Sequence, residues 1–140
     1  MVVDKLVRHA DIGLLVIRVF LGVMFVYYGA PKLFAGPEGW AKLGQATSGF
    51  GIHAAPAFWG FMASFSMFAG GICVALGLFF RIFTALLFMT MVVAARMHFQ
   101  KGDGLFGAAH ALEDGVVFFG LTFIGPGRYS LDAWLARLFA

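Results

Sequence analysis

The longest uninterrupted apolar run is Ala54 to Phe80, twenty-seven residues without Asp, Glu, Lys, Arg or His. A helix needs ~20 apolar residues to cross the ~30 Å hydrocarbon layer of a bilayer, so this run predicts a membrane-spanning helix. Ile12 to Phe34 repeats the pattern with one interior charge, Arg18, and ends near Pro31-Lys32. Ile82 to Met97 is shorter, with Arg96 placed to snorkel to the interface. Ala109 to Ile124 is stopped by Gly125-Pro126-Gly127. The predicted spans are therefore 12–34, 56–80, 82–97 and 109–124. Pro56 opens the second, where its missing N–H has no partner in any case.

The segments between them are polar or glycine-broken. Ala35 to Ala55 reads as a loop with an interfacial turn of helix at Glu38 to Gln45, and His98 to Ala109 as a second loop. A tight turn is expected near Gly77 to Arg81. Met1 to Asp11 reads as a short polar surface segment. Ser130 to Ala140 reads as an amphipathic helix capped by Ser130 or Asp132, with Leu131, Trp134, Leu135 and Leu138 on one apolar stripe. The predicted fold is all-α: one domain over 1–140, an integral membrane four-helix bundle with a short C-terminal interfacial helix.

Small residues suggest how the spans pack. Gly22 and Gly29 share a face of the first, and Ser66, Gly70, Cys73 and Gly77 form a strip on the second. Such residues let helix backbones approach closely in lipid.

Composition strengthens this picture. Charged residues make up 12% of the 140 residues, against roughly 25% in soluble domains, so lipid must cover what polar groups cannot. The net charge of +3 comes from scattered Lys and Arg, with no basic run, which argues against nucleic acid. The single cysteine, Cys73, excludes an intrachain disulfide and a CxxC pair. Lys5 and Arg8 before an apolar run, with Gly29-Ala30 after it, loosely mimic a signal peptide. Arg18 and the Tyr27-Tyr28 pair favour a retained helix. Four spans put both termini on one side. That side carries Lys5, Arg8, Arg81, Arg128 and Arg137, against Lys32, Lys42, Arg96 and Lys101 on the other. Five against four sets the expectation of both termini in the cytoplasm; the expected location is a bacterial cytoplasmic (inner) membrane.

Span parity gathers Lys32, His53, Arg96, His98, Lys101, Asp103, His110, Glu113 and Asp114 toward one membrane face. Arg18, Arg81 and Arg128 lie toward the other. Positions 18, 22, 25, 29 and 32 fall on one arc of the first helix, so Arg18 and Lys32 face the same way. Carboxylates in spans usually turn inward to a cation, which makes Lys32 and Arg96 the expected partners of Glu113 and Asp114. The cluster Lys32, Arg96, His98, His110, Glu113 and Asp114 is either a polar pocket for a quinone head or small anion, or an ion-pair clamp that fixes helix register. The clamp is the plainer reading. No HxxxH, ExxH or Cys/His spacing occurs, so no protein-bound metal is expected, and no pair of facing histidines suggests haem. Gly-rich phosphate loops and a GxSxG elbow are absent.

Several short motifs resemble the DoxX family of small four-helix membrane proteins. They are Arg18-Val19 with Gly22, Phe25, Gly29 and Lys32-Leu33; Gly70-Gly71 with Leu76-Gly77-Leu78 and Arg81; Glu113; and the octapeptide Gly125 to Asp132. The octapeptide is the most specific of these. The resemblance implies an integral membrane subunit, in some relatives linked to quinone reduction with thiosulfate as donor and in others to complexes handling oxidative or thiol stress. It places Arg18, Lys32, Glu113 and Arg128 at the family's polar positions. An acid that relatives often carry before the paired glycines is missing here, where the chain reads Phe65-Ser66-Met67-Phe68-Ala69. The expected function is thus an accessory or anchoring subunit of a redox-linked, quinone-associated assembly. The expected partners are lipid and a membrane or peripheral redox protein, with a homo-oligomer left open. The alternatives are a catalytic quinone-reducing subunit and, last, a small-solute transporter, for which broken, paired spans are lacking.

Overall fold

The computed structural model describes all 140 residues, and every regular element is helical. In chain order these are α1 (Val2–Leu33), α2 (Gly36–Gly44) running into a 3-10 turn (Gln45–Phe50), α3 (Pro56–Leu76), α4 (Phe80–Gln100), α5 (Gly104–Ile124) and α6 (Leu131–Leu138). Four of them, α1, α3, α4 and α5, are long and apolar enough to cross a membrane. At 1.5 Å per residue the three 21-residue helices each measure about 31 Å, the thickness of the hydrocarbon layer.

The boundaries differ from the sequence expectation in a consistent direction. Helix continues wherever no proline or left-handed residue stops it. α1 absorbs Met1 to Asp11, apart from Met1 itself, and so overhangs the other spans. α4 and α5 absorb most of the predicted loop at 98–109, leaving Lys101 to Asp103 as the turn. The second span ends four residues early, because Gly77 and Phe79 both take left-handed backbone (φ 70° and 45°) and Phe80 already belongs to α4.

α1 and α3 are in backbone contact. A Cβ on Gly22 would fall 2.4 Å from the Gly71 carbonyl oxygen, and one on Gly29 would fall 2.6 Å from the Phe68 amide nitrogen. The glycine that meets α1 is Gly71; its neighbour Gly70 faces Leu87 and Phe83 of α4. The small-residue strip predicted through Ser66, Gly70, Cys73 and Gly77 is therefore turned by about one residue from the α1 contact. α4 and α5 form the other close pair, joined inside the apolar layer by Thr122 donating to Thr84 at 3.0 Å. Phe25 of α1 meets Phe118 of α5 edge-on at 4.9 Å, closing a core that includes Val74, Phe80 and Leu87.

α2 lies against the start of α3 through two glycines. A Cβ on Gly44 or on Gly60 would strike the backbone of Pro56 or of Trp40. Trp40 Nε1 donates to the Leu33 carbonyl at 3.0 Å, satisfying an otherwise unpaired acceptor at the end of α1. At the opposite end, α6 packs back on the α3–α4 turn. Ser130 caps α6, accepting from Ala133 N at 3.1 Å. Asp132 does something else: its two oxygens accept the Phe79 and Phe80 amides, both at 2.9 Å, so it caps α4.

Candidate functional site

The two charges on the buried face of α1 have opposite surroundings. Arg18 is 1% exposed. Its guanidinium donates to Val74 O (3.3 Å), Ala75 O (3.2 Å), Tyr129 O (3.0 Å) and Pro126 O. The first two are carbonyls of the last turn of α3, Ala75 O otherwise unpaired and Val74 O shared with the Gly77 amide at 3.2 Å, where a cation is also favoured by the helix dipole. The other two come from the connector to α6. Arg18 is thus a fastener for three segments, with the Phe80 ring 5.9 Å from its Cζ.

Lys32 stands at the other end of the same face. Its one polar neighbour within hydrogen-bond range is the Met67 thioether, Nζ to Sδ 3.7 Å, a weak acceptor. It borders an open cavity of about 780 Å³ lined by residues of α1, α2, the 3-10 turn, α3, α4 and α5. Eighteen of the 25 lining residues are hydrophobic, among them Phe25, Trp59, Met62, Leu86 and Met91. The polar groups at its wall include Lys32, Tyr28, Thr90, His98 and His110. The α2 and 3-10 segment supplies Leu43, Thr47 and Phe50 as one wall. It is held by Thr47 Oγ1 donating to Gly44 O (2.8 Å) and Ile52 O (3.1 Å).

Neither predicted ion pair forms. Lys32 and Arg96 make no salt bridge with Glu113 or Asp114, and Arg96 is exposed. Ala111, Gly115 and Phe118 set the buried face of α5. At 100° per residue Glu113 projects away from that face while Asp114 lies at its margin. Glu113 is accordingly exposed, and only Asp114, 16% exposed, turns inward. The carboxylates pair with histidines instead. His98 Nδ1 lies 2.8 Å from Asp103 Oδ2. His110 Nε2 lies 3.3 Å from Asp114 Oδ2, which is buried and receives no well-aligned hydrogen bond. The His110 ring also meets Tyr28 edge-on at 5.8 Å.

Of the predicted cluster, Lys32, His98 and His110 reach the cavity, Asp114 supports it through His110, and Arg96 and Glu113 stand outside. His53 is exposed and outside as well. Arg128 is exposed at the Arg18 end. No group of three His, Cys, Asp or Glu side chains has the arrangement of a metal site. Sequence reasoning missed Met67 as the residue facing Lys32. The signal was available, since the resemblance expects an acid near this position, and 67 is where an acid would meet a lysine.

Neither the comparison with curated proteins nor that with solved structures gives a match. A family model, DoxX, matches residues 13–100. The matched region takes in Arg18, Lys32, the α1–α3 glycine contact and the α3–α4 turn. The octapeptide Gly125 to Asp132, singled out above as the most specific motif, and Glu113 lie beyond it. With well over half of the chain matched and four helices able to cross a bilayer, the protein is an integral membrane protein that belongs to the DoxX family.

Proposed function

We propose that this protein is an accessory membrane subunit of a redox-linked assembly and that its cavity holds a quinone. The observation that carries the reading is the 780 Å³ cavity beside Lys32, a cation with no carboxylate partner. Ligand sites are typically apolar hollows of ~300–1,000 Å³ with a few convergent polar groups, and this one fits a ring with carbonyl oxygens and an apolar tail. Lys32 would donate to a carbonyl, His110 would donate or accept beside it, and the Phe and Met side chains would exclude water. A bound quinone supplies two-electron, two-proton redox chemistry, and the electrons would come from a partner protein.

Purification in a mild detergent, followed by extraction and quantification of bound quinone, tests this. About one quinone per chain is expected, falling about tenfold or more in Lys32→Leu, since a hydrogen bond from a charged donor is worth ~1.5–3 kcal/mol. Quinone no richer than in the surrounding lipid, or unchanged in the variant, would overturn the site. A flavin, haem or iron at one per chain would overturn the accessory role.

A second reading, a catalytic quinone-reducing subunit, is favoured by one observation. Two histidines that line the same cavity, His98 and His110, are each paired with a carboxylate behind them, Asp103 and Asp114. Each could pass a proton from the aqueous face to a reduced carbonyl, with an external thiosulfate or thiol as electron donor. In a reconstituted quinone assay Asp114→Asn would lower turnover while the protein still assembles. Turnover equal to the parent protein would exclude the second reading and leave the first standing.

A further inference from the structure

A second concavity lies at the Arg18 end, outside the buried fastener. Arg8 of α1, Arg128 and Tyr129 of the connector and Arg137 of α6 line a space of about 260 Å³. Three guanidiniums arrive from three separate segments, and all three residues are exposed. None has an ion-pair partner: the salt bridges of the molecule are Met1 amine with Asp4, His98 with Asp103 and His110 with Asp114. The carboxylates nearby are already engaged. Asp11 accepts the Arg128 backbone N–H at 3.4 Å, and Asp132 accepts the Phe79 and Phe80 amides. Arg137 places only Nε, on Ala133 O of its own helix. Like charges gathered without a counter-charge repel, and an anion between them relieves that repulsion.

Depth narrows the anion. Arg18 sits at the last turn of α3, near one edge of the ~30 Å hydrocarbon layer that α3, α4 and α5 match. Arg8 precedes Arg18 on α1 by about 15 Å, in the part that overhangs the other spans. The arginines therefore stand past the hydrocarbon edge, with long side chains that reach back toward the lipid phosphates. Tyr129 and Trp134, 42% and 52% exposed, offer aromatic groups of the kind enriched at that level. The planar guanidinium fork matches phosphate oxygens.

We propose that Arg8, Arg128 and Arg137 form a binding site for the phosphate of an anionic phospholipid headgroup. The guanidiniums take the phosphate and disfavour a headgroup that carries its own cation, such as choline, and the place at the bilayer edge makes the donor a lipid. It is independent of the quinone cavity at the other end of the bundle.

Native mass spectrometry of the full chain, in detergent carrying equal phosphatidylglycerol and phosphatidylcholine, tests the proposal. The parent protein should retain phosphatidylglycerol preferentially. Arg8→Gln with Arg137→Gln should cut that preference about tenfold, the scale of one charge-assisted contact. Arg81→Gln, matching the single Arg128→Gln, removes one charge outside the concavity, where Arg81 lies over Gly125, and should leave the preference intact. Equal retention of both lipids by the parent protein, or an equal loss in Arg81→Gln, would overturn the site. A third arm adds millimolar inorganic phosphate: retention is expected, and displacement of the lipid would overturn the lipid as occupant in favour of a soluble phosphorylated ligand. The substituted side chains are exposed, and an unchanged thermal melt confirms the fold. Arg128→Gln alone is the second variant should the double one melt early.

Discussion

Arg18 and Lys32 lie on one face of one helix, about 21 Å apart along its axis, yet one is a finished structure and the other an open valence. Around Arg18 the end of α3 and the connector turn carbonyls inward, so the charge is spread over four acceptors and water is excluded. Around Lys32 the neighbours are apolar, the only acceptor is a thioether, and a cavity remains. A buried cation whose hydrogen bonds are complete fixes a fold. One whose hydrogen bonds are incomplete is available to a ligand. The same residue class, at the same helical phase, thus serves opposite ends, and the difference lies in what α3 and the connector bring to each.

The largest expected effect tests the closed end. Arg18→Leu leaves three carbonyls, Ala75, Pro126 and Tyr129, without a donor and removes one of two from Val74, and unsatisfied buried polar groups cost about 1–3 kcal/mol each. A loss of at least about 3 kcal/mol is expected by denaturant titration in detergent. A variant that unfolds with the parent protein would erase the distinction between the two ends. Next comes the α1–α3 contact that holds both cations in phase. Gly22→Val drives a side chain into the Gly71 carbonyl and Ala75, and overpacking of this kind costs about 1–3 kcal/mol. Midpoints within error of the parent protein would show that the helices can part without penalty. Asp132→Asn weakens the cap on α4 and should cost about 1 kcal/mol in the same titration, far less than Arg18→Leu although both act at one end. A cost as large as that of Arg18 would make the carboxylate, and not the arginine, the fastener. Lys32→Leu should change stability least, by about 0.5 kcal/mol or less in either direction, because it removes a cation without strong partners. A large destabilisation would mean that Lys32 is structural too, and the contrast would fail at the open end.

Much of the architecture could be read directly from the chain. Four apolar runs gave four crossing helices, and a 100° phase put Arg18, Gly22, Phe25 and Gly29 on one buried face with the half-buried Lys32 at its end. What stayed hidden depended on where helices end and which neighbour reaches across. Apolar content measures how much chain lipid can cover, not where helix stops, so α1, α4 and α5 ran past the predicted limits. Asp132 lies one residue inside α6, where local reasoning makes it a cap for that helix. Its use as a cap for α4 needs the fold-back of the connector, which no local pattern encodes. Glu113 and Asp114 are adjacent, so periodicity alone could separate their directions, but only once the buried face of α5 was known. Met67 opposite Lys32 is a contact between spans, set by the glycine register of α1 on α3.

The partners of Arg18 also carry a consequence for how the chain is made. Val74 and Ala75 follow it by 56 and 57 residues, Pro126 and Tyr129 by 108 and 111. At the usual ~5–20 residues per second of synthesis, the connector emerges roughly 5–20 s after the arginine. During that interval α1 enters the membrane bearing a charge whose acceptors are not yet all translated. A nascent chain cut short before Pro126 keeps an incompletely paired cation. Arg18 therefore registers completion of the fold: only a chain translated through Tyr129 supplies all four of its acceptors.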